Sequence, residues 1–206
     1  ATMFLNSGQS CNAPSRMLVP SARVAEVTEI AKAAAPNFTV GDPTGGVMLG
    51  PVVSEAQFDK IQGLIERAIA DGAEPAIGGP GRPEGLPTGY YVQPTVFTNV
   101  TNDMEIARTE VFGPVLVVIG YDSIDEALKI ANDTEYGLAG YVSGADVDEV
   151  RRIGSQIRAG SISLNGAQVD PVAPFGGYKK SGNGREWGDY AFDEFLEVKS
   201  LLGYSA

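Results

Sequence analysis

Strand and helix signals alternate along this chain, and the alternation constrains the fold more than any other feature of the sequence. Residues 115–119 (VLVVI) form a continuous apolar run, which is typical of a strand buried on both faces of a sheet. Helix signals at 123–132 and 146–157 alternate with further strand signals at 138–142 and 161–164. This order predicts an α/β fold with a mostly parallel sheet flanked by helices.

The first half of the chain carries the same two kinds of signal. Residues 17–19 predict a short strand. Ser54 with Gln57 forms a capping box ahead of apolar residues at helical spacing, so a long helix is expected to begin there. Residues 91–98 alternate but include Pro94, which favours an edge strand over a central one.

Composition excludes several functions. The chain has no histidine and a single cysteine, Cys11, so it cannot build a Ser-His-Asp triad, a Cys-His pair or a Cys/His zinc site. Its net charge of −11 repels phosphate, so neither nucleic acid nor an anionic membrane is an expected partner. No apolar run reaches the roughly 18 residues of a membrane span. One cysteine and no visible signal peptide favour a reducing, cytoplasmic location.

Three segments contain residues that could carry chemistry. Cys11 lies in a polar, glycine-containing segment whose backbone N–H groups could form an oxyanion hole, although an isolated cysteine is more often buried and structural. Glu110 and Phe112 have the spacing that places both on one side of an extended chain, where a carboxylate and a ring suit a ribose carrying a flat base. The alternative is a solvated glutamate beside a core phenylalanine. Residues 174–186 are rich in glycine and could cradle a phosphate, but without the P-loop spacing such a segment is more often a flexible loop.

Taken in order, these segments resemble the C-terminal catalytic domain of the NAD(P)-dependent aldehyde dehydrogenase superfamily. Residues 4–15 (FLNSGQSCNAPS) are similar to the family's cysteine active-site signature, and residues 110–114 (EVFGP) to its cofactor-facing motif. Further matches are 132–138 (NDTEYGL), 163–165 (SLN), 174–177 (PFGG) and 181–186 (SGNGRE). The resemblance implies a catalytic domain over residues 1–194 and a segment for oligomer contacts over 195–206, with a possible extra strand from Phe195 to Tyr204.

The resemblance also implies an activity, the oxidation of an aldehyde to a carboxylic acid with NAD or NADP. Cys11 would be the nucleophile that forms a thiohemiacetal and then a thioester. The other implied roles are positioning of the nicotinamide ribose and ring by Glu110 and Phe112, ribose contact by Gln57 and Lys60, flanking of the substrate entrance by Asn165 and Phe175, and proton relay by Glu186. For Gln57 and Lys60 an exposed helix face is an equal alternative. The expected partners are a small aldehyde and further copies of the chain in a homo-oligomer.

Family members carry a Rossmann-like cofactor domain ahead of this region, and we expect none of these 206 residues to replace it. The glutamate that acts as general base and an asparagine that holds the oxyanion are likewise expected upstream of Ala1. Loss of a general base costs about 10²–10⁴-fold in rate, so we expect the chain alone to be inactive or feebly active. Two alternatives stay open: a binding or oligomerisation module without catalysis, and a cofactor-independent thiol esterase.

Overall fold

The computed structural model describes residues 2–203 and divides them into two units. Unit 1 runs to Thr134 and also includes Ser155–Ile157. Unit 2 comprises Glu135–Gly154 and the described residues from Arg158 onward. The sequence-based domain boundary, which the two units do not test, stays a prediction.

Unit 1 is built on a four-stranded sheet. Its strands are β1 (Arg16–Pro20), β2 (Glu74–Ile77), β3 (Thr95–Thr98) and β4 (Val115–Tyr121). Their order across the sheet is β1-β4-β3-β2, with β1 and β3 parallel to β4 and β2 antiparallel to β3. The mostly parallel sheet expected from the sequence is therefore confirmed.

Apolar side chains cover both faces of this sheet. In β4, Val115, Val117 and Ile119 belong to one buried cluster, whereas Leu116 and Val118 belong to a second. Burial of each such side chain is favourable by about 1.5–3 kcal/mol. The continuous apolar run thus gives β4 its place inside the sheet, with both faces buried as predicted.

Four helices pack around the sheet of unit 1. They are α1 (Val24–Ala34), α2 (Glu55–Ala70), α3 (Glu105–Arg108) and α4 (Ile124–Asn132). Helix α2 begins where the sequence predicts, because the Ser54 hydroxyl accepts a hydrogen bond from the Gln57 N–H at 3.2 Å. The residues that α2 buries in the first cluster are Phe58, Ile61, Leu64, Ile65 and Ala68.

Unit 2 contains two small sheets. Strands β5 (Ala139–Val142) and β6 (Ser161–Leu164) are parallel, and α5 (Val147–Gly154) connects them. Strands β7 (Phe175–Gly176) and β8 (Arg185–Glu186) are antiparallel. Across residues 2–203, every helix is too short or too polar to span a bilayer.

The position of β3 corrects one prediction. The sequence places this strand at an edge because of Pro94, but β3 lies inside the sheet between β2 and β4. The strand begins at Thr95, the residue after Pro94, and not at residue 91 as predicted. The Thr95 N–H donates to the Pro114 carbonyl oxygen at 2.8 Å. Because Pro94 is outside the strand, its missing N–H costs the sheet no hydrogen bond.

The C-terminal segment corrects a second prediction. Instead of beginning the expected extra strand, Phe195 ends a short 3-10 segment (Asp189–Phe195), and residues 196–203 lie in no strand. Tyr204 lies outside the described residues. Residues 196–203 are exposed, and a single extended segment without a neighbouring strand has no partner for its backbone hydrogen bonds.

Candidate active site

Cys11, the expected nucleophile, lies on an exposed turn between a 3-10 segment (Thr2–Gly8) and β1. The Ala13 N–H closes this turn by donating to the Ser10 carbonyl oxygen at 3.0 Å. The Cys11 N–H, in contrast, forms no hydrogen bond with any residue in the described part of the chain. An accessible sulfur beside a free backbone donor is what formation of an oxyanion requires. The exposure contradicts the alternative of a buried structural cysteine.

The loop that carries Cys11 has a strained backbone held by distant contacts. Asn6 and Ser7 have φ values of 52° and 55°, in the left-handed region that costs an L-residue about 1–2 kcal/mol. The buried Ser7 hydroxyl donates to the Gly50 carbonyl oxygen at 2.8 Å. The Gln9 side-chain oxygen accepts a hydrogen bond from the Val53 N–H at 2.9 Å. These bonds fix the cysteine loop against the segment that leads into α2.

The cysteine loop also touches the Glu-x-Phe segment, residues 110–114. A Cβ atom built on Gly8 would lie 2.1 Å from the Gly113 carbonyl oxygen and 2.7 Å from the Pro114 nitrogen, so only glycine fits there. Both segments precede neighbouring parallel strands, β1 and β4, and therefore lie at the same edge of the sheet. The structure thus brings together the two motifs to which the resemblance assigns chemistry and cofactor contact.

Helix α2 holds the main chain of the Glu-x-Phe segment. Gln57 Nε2 donates to the carbonyl oxygens of Val111 at 2.9 Å and Phe112 at 2.8 Å. Lys60 Nζ donates to the Glu110 carbonyl oxygen at 2.8 Å. Gln57 and Lys60 therefore act on the backbone of the motif, and their contact with a ribose stays a prediction.

Glu110 and Phe112 are the residues expected to contact the nicotinamide ribose and ring, and that contact stays a prediction. The Glu110 carboxylate is exposed and accepts no hydrogen bond from the residues that the structure describes, so both oxygens are available to hydroxyl donors. Phe112 is half-buried and has a φ of 55°, a conformation that a bulky residue keeps only where its surroundings enforce it. The two hydrogen bonds from Gln57 to this stretch of backbone supply that enforcement.

The remaining expected site residues lie in unit 2. Phe175 and Glu186 are directly opposite each other in the β7–β8 pair, and the Phe175 ring stacks on Trp187 with centroids 4.9 Å apart. Glu186 is exposed. Asn165 follows β6 with a φ of 49°, and its side-chain oxygen accepts a hydrogen bond from the Gly144 N–H at 2.9 Å. Unit 2 therefore brings Phe175 and Glu186 together, and it uses Asn165 to hold the loop after β5.

Sequence reasoning did not identify Ser7, Gly8 and Gln9 as the residues that anchor the cysteine loop. Their partners are distant in the chain, so no periodic pattern indicates them. The available signal is local: Asn, Ser and Gly follow one another at residues 6–8, and Asn and Gly are the residue types that most readily adopt left-handed conformations.

Known proteins resemble this chain in both sequence and structure. The profile of the aldehyde dehydrogenase family matches residues 1–201. A 3-succinoylsemialdehyde-pyridine dehydrogenase from a Pseudomonas species is 52% identical over 204 residues, which cover 98% of this chain and 43% of the relative.

Solved structures give the same result. A mutant of aldehyde dehydrogenase C from Pseudomonas syringae, in complex with NAD+ and octanal, matches 99% of this chain and 42% of its own, with 50% identity and a TM-score of 0.96. An aldehyde dehydrogenase from Mycobacterium tuberculosis, in complex with NAD+, matches all of this chain and 43% of its own, with 42% identity and a TM-score of 0.92. The chain spans less than half the length of these relatives. It belongs to the aldehyde dehydrogenase family.

Proposed function

We propose that this chain is the cysteine-bearing part of an enzyme that oxidises an aldehyde to a carboxylic acid with NAD+ or NADP+. The observation that carries the proposal is the exposed Cys11 beside its own free N–H, on a loop in contact with the Glu-x-Phe segment. Similar proteins were solved with NAD+, and one of them also holds octanal, which supports this choice of cofactor and substrate class.

In the proposed reaction, the Cys11 sulfur adds to the carbonyl carbon of the aldehyde and a C–S bond forms. The carbonyl oxygen gains negative charge, and the Cys11 N–H donates a hydrogen bond to it. Loss of one such donor typically costs about 10²–10³ in kcat. A bound nicotinamide cofactor would supply the hydride acceptor. The thiohemiacetal on Cys11 would then lose a hydride to that acceptor and its hydroxyl proton to water, which leaves the thioester. Water then attacks the Cys11 thioester, which releases the carboxylic acid and returns the thiol.

The other residues in the proposal bind and orient. The Glu110 carboxylate accepts hydrogen bonds from the ribose hydroxyls, and the Phe112 ring bounds the nicotinamide. Gln57 and Lys60 keep the main chain of that segment in place. For unit 2, the resemblance to the family assigns the substrate entrance to Asn165 and Phe175, and proton relay to Glu186.

We expect the chain on its own to react but to turn over slowly. It covers 43% of a relative's length, and the resemblance assigns the general base and a second oxyanion donor to the remainder. Without a general base, thioester hydrolysis slows by about 10²–10⁴-fold. The acyl group should therefore persist on Cys11 long enough to be detected.

Mass spectrometry of the acylated chain tests the proposal. The chain is incubated with propanal and excess NAD+ or NADP+, and the cysteine-containing peptide is mapped. We expect a propionyl adduct on Cys11 that requires one of the oxidised cofactors and is absent from Cys11→Ser. A propionyl adduct that forms without cofactor would contradict the proposal. So would the absence of that adduct at cofactor concentrations high enough to offset the weak binding that we expect of this chain.

We also propose that the protein forms a homo-oligomer in the cytoplasm. Support comes from the C-terminal segment, where Phe195, Val198 and Leu202 are 86%, 98% and 93% exposed. Contiguous exposed apolar residues are typical of contact surfaces. Sedimentation of the wild type against Leu202→Asp measures this: we expect a smaller species for the variant, and equal masses would contradict a role for the segment.

A further inference from the structure

Four side chains of unit 1 form a network that the proposed reaction does not use. Arg16 Nη2 donates to Asn102 Oδ1 and, at 2.9 Å, to the Ile130 carbonyl oxygen. Asn102 Nδ2 donates to Asp133 Oδ2 at 2.7 Å, and Arg108 Nη1 donates to the same oxygen at 3.1 Å. Arg16, Asn102, Asp133 and Arg108 are called the arginine–aspartate network below.

Arg16 depends on its two acceptors in this network. Arg16 is partly buried, and its Nε atom has no hydrogen-bond partner among the described residues. Burial and the nearby positive charge of Arg108 both lower the pKa of Arg16. A partly buried guanidinium depends on the acceptors it has, since a lost acceptor leaves a desolvated donor unpaired. Arg16 is therefore held in one place by Asn102 and the Ile130 carbonyl.

The two arginines flank the two active-site segments. Arg16 is the first residue of β1 and directly follows the cysteine loop, whereas Arg108 is the last residue of α3 and lies two positions before Glu110. Asp133 belongs to the 132–138 motif, to which the proposed function gives no role. One carboxylate thus connects the ends of both segments, directly to Arg108 and through Asn102 to Arg16.

We infer that the arginine–aspartate network positions the Cys11 loop and the Glu-x-Phe segment relative to each other. This inference rests on the proposed function. The approach of Gly8 to Gly113 fixes the two segments where they meet, and the network fixes them where they join β1 and α3. Its members are positioning residues, because they act on Cys11 and Glu110 only through the backbone.

Exchanging two side chains of the network provides the test. Asn102→Leu removes both side-chain hydrogen bonds of Asn102 at similar volume. The double variant N102D/D133N swaps the side chains, so that a carboxylate accepts from Arg16 and an amide donates to that carboxylate. Glu26→Gln is the matched control, because Glu26 pairs with Arg23 at 2.6 Å on an exposed surface outside the network.

Two measurements are made on the full chain, well below the melting temperature of each variant. Amide hydrogen exchange is followed in peptides covering residues 8–15 and 109–114, and Cys11 alkylation by iodoacetamide is followed as a second-order rate. For Asn102→Leu we expect exchange in both peptides to rise about tenfold relative to the β4 peptide. We also expect alkylation to slow, because the loop that carries Cys11 loses its fixed conformation. Glu26→Gln should match the wild type within about twofold. The double variant should lie between the wild type and Asn102→Leu, because it keeps an acceptor for Arg16 but places at position 133 an amide nitrogen that cannot accept from Arg108.

Asp133→Asn is the milder variant should Asn102→Leu not fold, since the Asp133 side chain is 57% exposed. We expect it to accelerate exchange in the same two peptides about threefold. Equal acceleration throughout unit 1, or a double variant no better than Asn102→Leu, would overturn the inference. If the alkylation rate of Cys11 in the folded wild type does not exceed the rate in the unfolded chain, both the inference and the proposed function fail. If Cys11 of the wild type reacts fast and no variant changes its rate or the exchange of the two peptides, the positioning role of the network is wrong and the proposed function stands.

Discussion

Replacing Gly8 with alanine tests the contact that joins the two active-site segments. The new Cβ would lie 2.1 Å from the Gly113 carbonyl oxygen and 2.7 Å from the Pro114 nitrogen, and these main-chain atoms move only if a whole segment moves. Overpacking a well-packed region costs about 1–3 kcal/mol. The φ of +72° adds about 1–2 kcal/mol of left-handed strain for alanine. We therefore expect Gly8→Ala to lower the free energy of unfolding by about 2–5 kcal/mol.

Gly46→Ala is the matched control for this prediction. Gly46 has a φ of +74°, and no atom lies within 4 Å of the place that an alanine methyl group would take, so alanine there meets only the conformational strain. Urea unfolding followed by circular dichroism compares the two variants, and Cys11 alkylation is measured on the same samples. We expect Gly8→Ala to be the less stable by about 1–3 kcal/mol and slower to alkylate. Equal stability and equal alkylation in both variants would refute the reasoning.

Four further predictions concern individual side chains. Gln57→Glu should lower the free energy of unfolding by about 1–3 kcal/mol more than Gln57→Ala, because a carboxylate has no hydrogen to donate to the two carbonyl oxygens; urea titration at neutral pH compares them. Ser54→Ala should cost about 1 kcal/mol in the same assay through loss of the α2 cap, and Ser54→Asp should restore it. The hydrogen bond from Arg108 holds the pKa of Asp133 below its usual value, so the stability it contributes is fully present above about pH 3.9 and is lost as pH falls through the lower folded-state pKa; Asp133→Asn should flatten the acid limb of a melting-temperature profile. Cys11→Ser should remove any hydrolysis of p-nitrophenyl acetate, and activity retained by that variant rejects a thiol esterase.

Local signals in the sequence predicted most of the secondary structure. The starts of α2 and α4 follow from Ser54 and Ser123, because an N-cap hydrogen bond joins residues only three positions apart. The run at 115–119 predicted a strand without a solvent face, since it is apolar at every position. Helix α5 was expected to extend to about residue 157, but it ends at Gly154, a residue type that weakens helices.

Contacts between distant segments could not be predicted in the same way. The place of β3 inside the sheet depends on its pairing with β4, and Pro94 alone does not reveal where the strand starts. Arg16 and Asn102 are 86 positions apart, and nothing local to either residue indicates the other. The left-handed φ of Phe112 is enforced by Gln57, so the sequence of the motif does not disclose it.

The same distinction between local signals and distant contacts applies to the expected site residues. Residue type and order were enough to propose Cys11, Glu110 and Phe112, because the roles that the resemblance assigns to them depend on their own functional groups. The roles of Gln57 and Lys60 depend on which atoms their side chains reach, and in the structure they reach carbonyl oxygens of the Glu-x-Phe segment.

The central claim is that the fold holds Cys11 accessible, beside its own free backbone N–H, as a nucleophile. Its most direct test is the second-order rate of alkylation of Cys11 by iodoacetamide at neutral pH, measured on the folded chain and on the same chain unfolded in urea. Both rates belong to the same thiol, since the chain has no other cysteine. We predict that the folded chain reacts several-fold faster; a folded rate equal to or below the unfolded rate would contradict the claim.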